Sequence, residues 1–388
     1  MKHLIILFTL FFTLQTFAQI LERVSPESLN VDARRLPFAD NIINEAIENG
    51  EIPGAVLAVV HRNKMVYLKA FGNKQIYPST VAMSESTIFD LASVTKPIVG
   101  GISAMILVEQ GKLRLTDRVS MYIPEFQDNI RVVDLLTHTS GLPSYPPVGY
   151  LIEKHGANSA DSLISYLAHV ERQFAPRTNS QYSCNNLVVL QRIIEIVSGQ
   201  NLRDFTKEHI FDVLGMENTD FVPTGEMLNY IAPTIKLGEG EILRGIVHDP
   251  LARVLMGGIS GNAGLFSNAD DLAILSVALL NGGEYNGKRI LSPQGVKTMI
   301  SVPQNVAEFG RALGWDVSSA FASNQGDLLS ASAFGHTGYT GTSLVIDPEL
   351  DLAIILLTNR VHPYDTGNIA ALRARVANVV ASAVVNVK

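Results

Sequence analysis

Apolar positions fall into two kinds of run along this chain: short β-prone segments near both ends, and runs at helical spacing between them. Residues 54–61 and 65–71 are β-rich and joined by the short turn Arg62-Asn63, which predicts an antiparallel hairpin. Residues 333–337, 342–347 and 352–358 are three further β-prone runs linked by tight turns containing Gly and Pro. Phe38, Ile42, Ile43, Ala46 and Ile47 predict one face of a helix ending at Gly50. Helical patterns recur over 161–169, 186–198, 202–213, 269–281 and 293–301, and a last helix is predicted over 366–385. Strands at both ends with helices between them predict an α/β (α+β) fold, with an antiparallel sheet assembled from the two chain ends and flanked by helices. A mostly helical part, about 91–309, is inserted between sheet parts at about 38–90 and 310–388, within a single domain over 19–388.

Residues 98–108 break the pattern. They run almost without charge, show no period-2 alternation and stop at Gln110-Gly111, which predicts a buried helix with Gly111 past its C-terminus. Ser93-Val94-Thr95-Lys96-Pro97 precedes the run. Proline is tolerated only in a helix's first turn, so Ser93 falls at the N-terminal end with Lys96 on the same face. A hydroxyl at a positive helix end beside an amine suits an activated serine nucleophile. Alone, the motif also describes an N-cap and a solvated lysine, and about one such spacing is expected by chance.

Composition narrows the classes. The chain has 388 residues, a net charge of −7 and no basic run, which argues against a nucleic-acid partner. Its single cysteine, Cys184, excludes an intrachain disulfide and a Cys-based zinc site, and no metal or nucleotide motif stands out, so no cofactor is expected. Lys2, the apolar run 4–17 and Thr16-Phe17-Ala18 form a signal peptide over 1–18, implying a periplasmic or secreted protein. The run is too short for a comfortable membrane span, and no cysteine near the cleavage point offers a lipid anchor.

Two other stretches carry candidate chemistry. Tyr182, in Gln181-Tyr182-Ser183-Cys184-Asn185-Asn186, comes just before an amphipathic helix. Neighbouring cations there can lower its pKa and make it a general base, although most tyrosines are simply half-buried. Gly335-His336-Thr337-Gly338-Tyr339-Thr340-Gly341 ends one late strand and turns into the next. Its glycines let the backbone approach a ligand, His336 can orient or protonate a reacting group, and the Tyr339 N–H can face an oxyanion together with that of Ser93.

In this order and at these separations, the three motifs resemble the serine β-lactamase and penicillin-binding protein superfamily, and within it the class C β-lactamase, DD-peptidase and esterase branch. Leu135-Leu136-Thr137-His138-Thr139-Ser140-Gly141-Leu142-Pro143, Gly261-Asn262-Ala263-Gly264-Leu265-Phe266-Ser267 and Leu357-Thr358-Asn359-Arg360 resemble the same family. The resemblance implies Ser93 as the acylated nucleophile, Lys96 as its activator and Tyr182 as a second base. It also implies His336, Thr337 and Gly338 as the third motif and the Ser93 and Tyr339 N–H groups as the oxyanion hole. Cys184 stands where the family has asparagine, so either Asn185 or Asn186 reaches in or the substrate grip changes. His336 replaces a lysine, which weakens carboxylate recognition at neutral pH unless Arg360 supplies the charge. Ser144 lies near a substrate-contacting glutamine of the β-lactamases. All three departures point away from an efficient β-lactamase.

The expected function is an exported serine hydrolase acting through a Ser93 acyl-enzyme on an ester, or on a D-amino-acid amide or peptide such as a peptidoglycan stem. A true β-lactamase and a catalytically silent penicillin-recognising or wall-binding protein are the alternatives. If neutral His336 is required, turnover is expected to fall through the histidine pH range.

Overall fold

The computed structural model of the protein describes residues 21–238 and 240–385. The predicted signal peptide, residues 1–18, lies outside them.

The hairpin forms as expected. β1 (Gly54–His61) and β2 (Lys64–Gln75) turn on Arg62 and Asn63, at φ 48° and 63°, the left-handed pair that a two-residue hairpin turn requires. β2 runs four residues past Phe71 and pairs with the short β3 (Val81–Ala82). The late strands are β4 (Phe334–Thr337), β5 (Ser343–Asp347) and β6 (Leu352–Thr358). The sheet order is β4-β5-β6-β1-β2-β3, every neighbouring pair antiparallel. Ala55 lies opposite Thr358 and His61 opposite Leu352, so the two chain ends are joined at the centre of the sheet.

β1 is buried along its whole length. Its period of two sorts residues between two cores rather than between core and water. Val56, Ala58 and Val60 join the core of the helical part, while Ala55, Leu57 and Val59 meet α1 (Leu36–Glu48) and the C-terminal helix α5 (Ala370–Ala383). That double cover is why residues 55–60 carry no polar alternation. The expected face of α1 is corrected at one position: Leu36, Ala39, Ile43 and Ala46 are buried, and Phe38 is 58 % exposed. The helix starts at Leu36, and its stripe at three- and four-residue steps places Phe38 beside the buried face.

The predicted buried helix is α2 (Ala92–Glu109), long and apolar enough to cross a membrane, yet 83 % buried inside the fold. It opens with a tight turn over Ala92–Val94, widens into a π-helical segment over Lys96–Gly101, and continues as an α-helix from Ile102. Gly100 and Gly101 allow close packing there: a β-carbon on Gly101 would lie 2.8 Å from the Leu313 carbonyl oxygen. Gly111, at φ 68°, ends it. Against α2 packs α3 (Cys184–Ser198), through Leu187, while α4 (Ala269–Leu280) covers the sheet. α5 begins four residues later than expected, and residues 359–369 form an unwound rim instead.

Candidate active site

Ser93 is presented by a strained turn. Ala92 sits at φ 46°, held by the buried Asp90 carboxylate, which accepts the Ala92 N–H at 2.9 Å and the His248 N–H at 2.7 Å. Burial pushes Asp90 up to about 6, against the pull of those two N–H groups. One turn on, the fully buried Lys96 donates from Nζ to Ser93 Oγ at 2.8 Å and to the Asn262 carbonyl at 2.8 Å. Asn262 is fixed by its own side chain, which accepts from Ser260 Oγ at 2.6 Å and donates to Asp249 at 3.1 Å. Asp249 also accepts from Tyr145 Oη at 2.9 Å. The stretch around Asn262 thus anchors the amine, a role its sequence did not reveal.

Tyr182 closes the group. Lys96 Nζ lies 4.9 Å from its ring centroid, and the ring is walled by His138 at 4.7 Å, Phe321 at 5.0 Å, His336 at 6.0 Å and the Arg311 guanidinium at 5.2 Å. The expectation that cations lower its pKa is corrected: burial raises the phenol, and Lys96 and Arg311 only partly oppose it. Burial opposes the Lys96 charge, but Cys184, Tyr182 and Asp249 outweigh it and hold the ammonium above its usual value. Burial likewise raises the Cys184 thiol.

Two histidines brace this cluster without carrying charge. His138, at φ 58° in the Thr-His-Thr-Ser-Gly loop, accepts the Ser183 N–H at 3.2 Å and the Asn186 amide at 3.0 Å on Nδ1, so its proton belongs on Nε2. Burial holds it well below the ordinary histidine value. His336 Nδ1 donates to the Thr337 carbonyl at 2.8 Å, and its Nε2 accepts from Arg311 at 2.9 Å. Burial lowers His336 to about 3, which corrects the expected titration in the histidine range. The permanent cation missing from the third motif stands one layer behind it, as Arg311 in a buried ion pair with Asp316. Nothing in the local sequence marks Arg311; only the fold brings it to His336.

The third motif is stapled to the nucleophile turn. Thr340 Oγ1 donates to the Asp90 carbonyl at 2.7 Å and Thr342 Oγ1 to the Leu91 carbonyl at 2.9 Å. This leaves the Ser93 and Tyr339 N–H groups without a protein acceptor among the described residues. Gly338 makes the approach possible: an added β-carbon would sit 2.2 Å from Thr342 Oγ1 and 2.4 Å from the Leu91 carbonyl oxygen. Gly338→Ala is expected to lower kcat about 100-fold by moving the Tyr339 N–H, with KM much less affected. Steady-state kinetics with a chromogenic ester checks this, and an unchanged kcat refutes it.

Ser93, Tyr182, His336, Thr337, Gly338, Tyr339 and Arg360 line one cavity of about 480 Å³. Arg360 pairs with Asp365 at 3.0 Å and lies over the Tyr339 ring at 4.6 Å, so it is both ion pair and cavity wall. Asn185 is a correction. It is buried and donates to the Pro143 carbonyl at 2.9 Å, because one residue along α3 turns its side chain about 100° from Cys184. Asn186 is taken by Ser140 at 2.5 Å and by His138. No side-chain amide replaces the one missing at Cys184 from these two positions. Ser144 is exposed and outside the cavity wall.

A serine hydroxyl hydrogen-bonded to a buried lysine, under a caged tyrosine and beside two free amides, defines a serine hydrolase. The Beta-lactamase family model matches residues 39–378, and the chain belongs to that family. An Escherichia coli (strain K12) relative named "Putative D-alanyl-D-alanine carboxypeptidase" is 33 % identical, over 88 % of this chain and 86 % of its own. A Bacillus subtilis (strain 168) relative named "N-acetylmuramyl-L-alanine amidase" is 34 % identical, over 90 % and 87 %. Among solved structures, EstCE1, described as a hydrolase with promiscuous acyltransferase activity, shares the fold at a TM-score of 0.73 and 24 % identity, over 89 % of this chain and 98 % of its own.

Proposed function

We propose that the protein is an exported hydrolase that forms an acyl-enzyme on Ser93 and cleaves an ester or a D-amino-acid amide or peptide of cell-wall type. The single observation that carries the reading is the 2.8 Å bond from Lys96 to Ser93 Oγ inside the cavity closed by Tyr182. The relatives named for carboxypeptidase and amidase activity support the substrate class, and the apolar segment 4–17 supports export.

The substrate carbonyl carbon meets Ser93 Oγ while its oxygen takes the Ser93 and Tyr339 N–H groups. The Ser93 proton passes to the Lys96–Tyr182 pair in the form that has lost one proton. The pair then protonates the departing alcohol or amine as the carbonyl re-forms. A water molecule, relieved of its proton by the same pair, releases the acid and restores Ser93. The misplacement of Asn185 and the thiol at Cys184 weigh against the β-lactamase reading, and the assembled Ser93, Lys96 and Tyr182 weigh against a silent binder.

Incubation with a p-nitrophenyl ester, a chromogenic cephalosporin and a D-Ala-D-Ala peptide separates these readings. Ester or peptide turnover with a Ser93 adduct by mass spectrometry is the expected result, and no turnover with no adduct removes the proposal.

The pH dependence has a defined source. Tyr182 and Lys96 are both held high, so kcat/KM rises on the alkaline side of neutrality. On the acid side a limb with a midpoint of about 6 is expected, from Asp90 losing its carboxylate grip on the Ala92 and His248 N–H groups. The raised value means that Asp90 protonation adds to stability between about pH 6 and pH 4, so loss of the Asp90 charge does not itself unfold the protein. His336→Gln should keep the limb and Asp90→Asn remove it. The opposite pattern assigns the limb to His336.

A further inference from the structure

A second cavity, of about 500 Å³, shares no lining residue with the one that holds Ser93. Its apolar wall includes Leu115, Val133, Val302 and Leu313, and its charged wall is Arg131 and Lys297, with no carboxylate lining it. Among the described residues neither cationic side chain has a hydrogen bond or an ion pair, and Arg131 Nε is buried without a partner. The acids on the elements that frame the cavity are committed elsewhere. Asp134 accepts the Arg131 backbone N–H at 2.8 Å, but its ion pair is with Arg177. Asp117 pairs with Arg114 at 2.8 Å. Glu109 accepts the Ser292 N–H at 2.9 Å and the Ser292 hydroxyl at 2.7 Å.

The floor of the cavity is fixed in advance. The Leu313 N–H donates to the Met299 carbonyl at 3.0 Å and the Gly314 N–H to the Leu136 carbonyl at 3.0 Å, so the turn that carries Leu313 is tied to both flanking helices. Lys297 stands exposed on the helix Pro293–Ile300, whose Val296 and Met299 are buried. A preformed cleft with a large apolar surface and a few converging polar groups is the usual shape of a small-molecule site. Here the polar groups are two unmatched cations, and a desolvated guanidinium nitrogen is costly until an anion meets it.

We infer that this cavity binds a small amphiphile with one acidic head on a hydrocarbon tail, at a site separate from Ser93. The tail lies on Leu115, Val133, Val302 and Leu313, where burying each methylene is favourable, and the head bridges Arg131 and Lys297. A guanidinium offers an acidic head two parallel N–H donors, and the exposed ammonium closes over it. The inference is independent of what Ser93 acylates.

Isothermal titration calorimetry of the protein with octanoate, octyl phosphate, neutral octanamide, and the tail-less acetate and inorganic phosphate tests it. At least one acidic amphiphile is expected to bind about tenfold or more tighter than octanamide, and about a hundredfold or more tighter than its own tail-less head. Which of the two binds better tells whether the head is a carboxylate or a phosphate. Arg131→Gln and Lys297→Glu should each weaken that ligand about tenfold or more and leave octanamide nearly unchanged. Lys297 is exposed, so Lys297→Glu serves if Arg131→Gln does not fold. KM for a chromogenic ester should not rise at saturating amphiphile, because the two cavities are distinct. No binding, equal binding of charged and neutral compounds, or unchanged affinity in both variants overturns the inference. An amphiphile that competes with the ester and binds both variants as it binds the parent sits against Ser93, which overturns it equally.

Discussion

Ser93→Ala is expected to reduce ester turnover by about 10⁴-fold or more and to abolish the covalent adduct, with the fold unchanged. Ser93 is half-buried at the cavity floor, and its Oγ is the atom Lys96 points to. Removing one oxygen takes away the bond-forming atom but little packing. The two free N–H groups remain, so a small residual rate above that in water persists. Stopped-time assays with intact-protein mass spectrometry check both halves. A variant still within tenfold of the parent would show that another group attacks.

Lys96→Met is expected to cost about 10²- to 10⁴-fold in kcat. The side chain is fully buried, and its ammonium holds Ser93 Oγ and the Asn262 carbonyl at once. Methionine fills nearly the same volume, so the loss reports proton transfer rather than a cavity. It does strand the Asn262 carbonyl, which makes a modest fall in stability part of the expected result. The discriminating readout is the pH profile: with the pair reduced to Tyr182 alone, the alkaline rise moves to higher pH, since burial keeps that phenol raised. An unaltered profile would remove Lys96 from proton transfer.

Much of this site is legible in the linear chain because its constraints are local. Pro97 marks the opening of the apolar helix within a turn or so, and Ser93 and Lys96 lie one turn apart there, although α2 itself begins at Ala92, ahead of the first-turn limit the proline suggests. Arg62-Asn63 between two β-rich runs dictates the hairpin. Gly338 announces a close backbone approach, and the structure supplies what approaches, namely Thr342 and the Leu91 carbonyl. Phe38 and Asn185 were misplaced because each depends on the exact rotation of a helix, which an error of one residue turns by about 100°.

The order and type of the strands and helices, the helix opening that holds Ser93 with Lys96, and the three-motif resemblance were set by the sequence itself, since each depends on neighbours a few residues apart. Protonation states and distant partners were decided only by the tertiary structure. Burial, not composition, takes His336 to about 3 and raises Tyr182, and only the closed sheet and α5 bring Arg311 and Arg373 to a motif 25 and 37 residues away in the chain. Desolvation and long-range pairing are properties of a packed interior, and no local pattern encodes them.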